Sequence, residues 1–221
     1  MKRIGIAAAA VIIAAAFAYA GYGVYQKREL RAQVAETVAA ASERLGETLA
    51  IDVNAPAAGL VTRLDLSVTQ TESGLQKLRG AAGQRDPGLM AAADGYVASV
   101  LEVLRRQAGA TRHRAQFIDD RKALVEHMAG ARSRSESWPA EAIRLKKRLE
   151  EDYFNYQLAV TSLGNMLAGL ADARRKLVEL LPSAKVLDAT AIQRARELSS
   201  AAAAAAKAEL EQARRLAGPA G

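Results

Sequence analysis

The sequence predicts an all-α fold: an N-terminal membrane-anchor helix followed by an antiparallel helical bundle with a long, coiled-coil-like hairpin. Three observations predict it. Alanine dominates the apolar half of the 221 residues, and alanine is the strongest helix former and a poor strand former. Apolar positions recur at alternating spacings of three and four, and no run alternates apolar and polar β-formers. The five prolines and sixteen glycines fall mostly between those periodic runs, which leaves room for long helices.

The first helix is expected over residues 4–50. Its opening, Ile4 to Tyr25, is 22 residues without a charge, preceded by Lys2-Arg3 and followed by Lys27-Arg28. As a helix it reaches about 33 Å, enough to cross a hydrocarbon core of roughly 30 Å. Alanine makes it only weakly hydrophobic. Ile4, Ile6, Val11, Ile12, Ile13, Phe17 and Val24 together supply roughly −2 to −4 kcal/mol toward insertion. Tyr19, Tyr22 and Tyr25 at the distal end read as an interfacial belt. The competing reading is a cleavable signal peptide, because Ala18-Tyr19-Ala20 matches the A-x-A pattern. The helical pattern continues through that site into Leu30, Val34 and Val38, which favours an uncleaved anchor. The positive charges flanking the segment are nearly balanced, but a three-residue tail normally stays behind while the longer part crosses. The expected location is therefore the inner membrane, single-pass, with the body in the periplasm. If the site is cleaved, the body is secreted to the periplasm.

Turn signals divide the rest: Asp52 to Pro56, Gly80 to Gly88, Ser133 to Pro139, and Pro182 to Asp188. The second helix is expected over 56–80, with Val61, Leu64, Val68, Leu75 and Leu78 on one stripe and Thr71 in the missing place. The third is expected over 87–132, opened by Asp86 as a cap and Pro87 at the first helical position. It carries Leu89, Ala93, Tyr96, Val100 and Val103. The fourth spans 139–181, with Pro139 in its first turn and Pro182 ending it, and carries a stripe from Leu145 through Tyr156 and Leu167 to Leu181. The last spans 188–217, with Asp188 as its cap and Ala201 to Ala206 in a row. Its small side chains bury little area, so it is expected to dock least firmly and to be free to lie against another copy.

The organisation that follows is an anchor or signal peptide (1–25), a short hairpin (26–81), a long antiparallel hairpin (86–182), an alanine-rich helix (188–217) and a disordered tail (218–221). Short connections make antiparallel neighbours. The long hairpin is about 65–70 Å and the short one about 37 Å at 1.5 Å per residue, so the long one must overhang. With the turn centred near 136, Arg121 is expected to face Glu151 and Asp152, and Arg132 to face Glu141. Those would be structural salt bridges that mark register.

Charge offers one candidate surface. The chain carries 31 Lys+Arg against 24 Asp+Glu, a net +7, of which Lys2 and Arg3 account for two. The excess of the body concentrates between Arg105 and Arg134, at the projecting end. Arg112, Arg114, Lys122, Arg134, Trp138, Lys146, Lys147 and Arg148 form the candidate interaction surface, suited to an acidic partner, an anionic polymer or lipid head groups. The basic residues split between two helix faces, which argues against a nucleic-acid track.

Little points to chemistry. The absence of cysteine excludes disulfides, thiolate metal sites and a cysteine nucleophile. His113 and His127 are about 21 Å apart on one helix and cannot share a metal; they are expected on the solvated surface. Asp119-Asp120 and Glu150 to Asp152 read as solvated faces. The glycines from 80 to 88 lack the lysine and preceding strand of a phosphate loop. The expected function is a non-enzymatic, cofactor-free scaffold or protein-interaction component of the bacterial cell envelope. It would meet the membrane through residues 4–25 and bind another envelope protein or itself. Two alternatives stand. One is a periplasmic sensory bundle with a small-molecule pocket lined by Tyr153, Asn155, Tyr156, Asn165 and Arg174. The other is a membrane-tethered cytoplasmic body contacting nucleic acid or anionic lipid.

Overall fold

A computed structural model describes residues 2–49, 57–81, 86–130 and 136–216, with side chains from Tyr22 in the first stretch and from Gly59 in the second. Those residues form five helices and no strand: α1 (Lys2–Leu49), α2 (Ala57–Gly80), α3 (Pro87–Ala129), α4 (Trp138–Leu180) and α5 (Ala189–Leu216). The caps foreseen in the sequence are made. The Asp86 side chain accepts the Leu89 amide at 3.2 Å ahead of Pro87. Asp188 accepts the Thr190 amide at 3.3 Å and the Thr190 hydroxyl at 2.7 Å. Helix α4 ends just before Pro182, which has no amide to continue it.

Side-chain contacts give the packing directions. Between α3 and α4, His127 meets Trp138, Asp120 meets Arg148, and Phe117 meets Tyr153, so the two run antiparallel. Between α2 and α3, Asp65 pairs with Arg112, Glu72 with Arg105, and Arg79 with Asp94, again antiparallel. Helix α1 runs parallel to α3: Ser42 bonds Tyr96 at 2.8 Å and the Thr48 carbonyl accepts from Gln107 at 2.9 Å. Helix α5 also follows α3, from Leu187 beside Tyr96 to Glu209 beside Arg114.

The core divides into two stretches along this bundle. The lower one gathers Val34, Val38 and Leu45 of α1 with Leu64 and Leu75 of α2. Tyr96 to Leu104 of α3 and Leu163 to Leu177 of α4 complete it. In α2, Leu60 takes the buried place expected of Val61, which is partly exposed. The upper stretch is narrower: Phe117, Leu124, Leu145, Leu149 and Tyr156 are walled on the third side by Ala206, Leu210 and Ala213 of α5. The alanine-rich helix is thus not a loosely docked element. Its small side chains let the backbone come close, and Ile192 and Leu210 add apolar area on the two stretches.

The helices end at different heights. Helix α1 stops level with Gln107, and α3 continues for 22 residues, about 33 Å. Helix α5 reaches Glu150 through Arg214, twelve residues or about 18 Å short of Trp138. At the other end, equal steps back from the Ser42–Tyr96 contact bring Val34, the first buried residue of α1 among those whose side chains are described, level with the first turn of α3. The backbone of α1 continues a further 32 residues to Lys2, about 48 Å past the bundle. Tyr22, Val24 and Tyr25 are exposed there; the side chains of residues 4–21 lie outside the described residues. Among those described, α3 is the helix whose length and composition would allow a membrane crossing. It packs against all four others and is the central core helix.

Candidate interaction surface

The upper half of the hairpin holds most of the residues singled out by charge, and the structure gives most of them partners inside the chain. Arg114 is 9% exposed at its side chain. It grips Glu209 of α5 with two hydrogen bonds, 2.6 and 3.2 Å, and its guanidinium lies over the rings of Phe117 and Tyr156 at 5.4 and 5.6 Å. Arg121, one pair of turns further, donates to the same carboxylate at 3.0 Å. A half-buried carboxylate shared by two guanidiniums is a register device, because shifting α5 by one turn strands all three charges.

That arrangement corrects the expected pairing of Arg121 with Glu151 and Asp152. Residues seven apart share a helix face, and the face of Arg114 and Arg121 is the one α5 covers. Glu151 instead lies 3.8 Å from Lys147, one turn back on its own helix. Asp152 turns toward Asp120 across the seam. Arg114 likewise leaves the proposed contact surface for the core. Arg132 and Arg134 lie outside the described residues, and so does the expected Arg132–Glu141 pair. Glu141 is held by Arg144 at 2.6 Å, which keeps its carboxyl below the usual range.

Arg112 pairs with Asp65, Lys122 with Glu126 at 3.8 Å, and Arg148 with Asp120 at 2.8 Å. An ion pair presents a dipole, so these side chains form no continuous positive face. Lys146 is partly buried. Trp138 is partly buried too: its ring stacks on His127, centroids 5.0 Å apart and 17° between planes, and His127 Nε2 lies 3.1 Å from the Trp138 carbonyl. His127 is therefore part of the clasp at the hairpin's end. His113 is partly exposed beside Gln116.

The residues proposed to line a ligand pocket are dispersed. Arg174 donates to the Leu187 carbonyl at 2.8 Å in the lower bundle. Tyr156 lies in the upper core, Tyr153 packs on Phe117, and Asn155 and Asn165 are exposed. The space where α1 ends, between Gln107, Thr111, Tyr156, Ala195 and Ser199, is about 40 Å³, room for a few waters.

Sequence reasoning missed Glu209 and Asp120. Both carried a signal. Glu209 adjoins Leu210 and falls three residues past Ala206 and four before Ala213, all buried. Asp120 falls three after Phe117 and four before Leu124, inside the apolar stripe itself. No family model matches this chain, and neither a curated protein nor a solved structure is significantly similar to it.

Proposed function

We propose that the chain is a non-enzymatic scaffold of the bacterial cell envelope: an inner-membrane anchor carrying a periplasmic helical bundle whose long hairpin holds a contact surface away from the bilayer. The observation that carries this reading is the course of α1. One helix leads from the uncharged segment into the core, and the first buried side chain among those described is Val34. A membrane segment continuous with a core helix passes its orientation to the bundle without a flexible linker. The overhang at the opposite end places the His127–Trp138 clasp about 60 Å from the foot of α3. The partner is another envelope protein or a second copy, met at that end.

The helical backbone also favours an anchor over a cleaved signal. Ala18-Tyr19-Ala20 lies within α1, and a protease that binds its substrate extended must first unwind it. Carbonate extraction of membranes, followed by N-terminal sequencing, tests the reading. A chain that stays in the pellet and begins before Ala20 supports it. A soluble chain that begins at Gly21 returns the signal peptide, and protection of the body from protease in spheroplasts puts it in the cytoplasm.

A further inference from the structure

Between the end of the uncharged segment and the foot of the bundle, α1 runs alone for only a few residues. Leu30 is half-buried against the lower core, and Val34 is the first buried side chain among those described. At 1.5 Å per residue Leu30 stands about 8 Å beyond Tyr25. The polar layer on each side of a bilayer is roughly 5–8 Å thick. A chain held by a span at residues 4–25 therefore brings the foot of its bundle to the outer edge of that layer.

Lys27, Arg28 and Arg31 occupy this interval, about 3 to 9 Å beyond Tyr25. All three side chains are exposed, and none pairs with a carboxylate of any described residue. Their placement around α1 is not scattered. Arg31 comes three residues and Lys27 seven residues before Val34, so both continue the face that Val34 and Val38 bury higher up. Arg28 lies about 100° from Lys27. Glu29, the one acid between residues 26 and 33, lies about 200° from Lys27, on the other side of the helix. The stripe of α1 that is apolar inside the bundle is thus cationic immediately below it.

The arginines of the upper bundle have a different situation. Arg112, Arg114 and Arg148 meet carboxylates of neighbouring helices. Among the described residues no other helix extends down to the level of Lys27, Arg28 and Arg31. Around the foot itself, Lys176 and Lys185 are offset by Glu179 and Asp86, so the positive excess at this depth is that of α1.

We infer, resting on the anchor at residues 4–25 proposed above, that Lys27, Arg28 and Arg31 form a binding site for the phosphate groups of anionic phospholipids, beneath the bundle and on its side of α1. Charge, depth and width give the class of partner. Phosphates lie in the polar layer, where these cations meet acceptors. A guanidinium takes phosphate through two N–H groups and an ammonium as a point charge, so the two arginines supply geometry as well as charge. The gap of about 8 Å between Tyr25 and Leu30 is narrower than the 10–12 Å of a helix with its side chains, so an acidic helix does not fit there, whereas lipid already fills the level below. Lipid held on that face seats the foot of the bundle against the leaflet.

Electron spin resonance of the full chain in phosphatidylcholine bilayers, with traces of spin-labelled phosphatidylglycerol or spin-labelled phosphatidylcholine, measures which headgroup the protein restrains. Lys2→Gln and Arg3→Gln are carried in every sample, so that the opposite flank adds nothing. At low salt a preference of about fivefold for phosphatidylglycerol is expected, the attraction of one cation at a surface. It is expected to fade at about 1 M salt, where charges are screened within about 3 Å. Replacing Lys27, Arg28 and Arg31 together by Gln is expected to bring it below about twofold. Glu29→Gln is expected to raise it, a gain that a misfolded chain would not give. Equal restraint of the two lipids, a preference indifferent to salt, or one unchanged in the triple variant overturns the inference, while resistance of the same chain to carbonate leaves the anchor standing. A chain that carbonate washes from the bilayer overturns both. Binding of polyglutamate that is lost in the triple variant, with no preference between the lipids, would give these cations to an acidic protein instead.

Discussion

The guanidinium of Arg114 and the carboxylate of Glu209, 95 residues apart in sequence, meet in two hydrogen bonds of 2.6 and 3.2 Å beneath α5. Arg121 adds a third at 3.0 Å. Replacing Glu209 by Ala leaves a buried guanidinium without a counter-charge. It is expected to cost about 3–5 kcal/mol, seen as a lower urea midpoint and faster amide exchange along α5. Arg121→Ala removes the more exposed arm and is expected to cost about 1 kcal/mol or less. The double variant Arg114→Met, Glu209→Leu is expected to regain most of the loss, because apolar groups of similar volume replace a desolvated pair.

A second polar knot ties the lower bundle. The Tyr96 hydroxyl bonds Ser42 at 2.8 Å and accepts the Leu187 amide at 2.9 Å, linking α1, α3 and the α4–α5 connection. Tyr96→Phe keeps the ring and strands that amide. A loss of about 1–3 kcal/mol is expected in thermal or urea unfolding.

Burial and Asp120 raise Asp152 from its ordinary 3.8 to about 6 in the folded chain, so protonation favours folding. The contribution is complete below about 3.8 and is lost as the pH rises through 6. With the partial exposure of Asp152 screening the charges, Asp152→Asn is expected to add about 1 kcal/mol of stability relative to the parent at pH 8 and little at pH 4. Urea midpoints of both chains at the two pH values check the sign.

Because no side chain described between Tyr22 and Gln33 is buried, removing residues 2–28 is expected to change the stability of the bundle by less than about 0.5 kcal/mol. The same deletion is expected to release the chain from membranes. Unfolding curves and carbonate extraction measure the two effects separately.

Local signals carried most of the secondary structure. Asp86-Pro87 and Pro182 are sharp punctuation because each acts through its own backbone, and the 3-4 spacing of Leu145, Leu149 and Tyr156 fixes a face without reference to a partner. What covers that face is not a local property. Arg121 was assigned the nearest acids on the antiparallel neighbour, yet α5, entering from the far end of the chain, lies over that side and brings Glu209. Asp120 was read with Asp119 as a solvated pair, although its spacing to Phe117 and Leu124 puts it in the seam; adjacency in sequence hid a difference of about 100° around the helix. Arg112, Arg114 and Arg148 were read as unpaired cations because their intrachain carboxylates, Asp65, Glu209 and Asp120, lie far off in sequence.

The most direct measurement is one distance. The chain has no cysteine, so Tyr25→Cys and Glu136→Cys place two unique spin labels in the full protein held in lipid nanodiscs. A continuous α1 beneath an overhanging hairpin sets them about 75 Å apart at 1.5 Å per residue. A narrow distribution near that value is the expected result; a separation below about 50 Å would mean that α1 breaks or the hairpin folds back, and the extended scaffold would not stand.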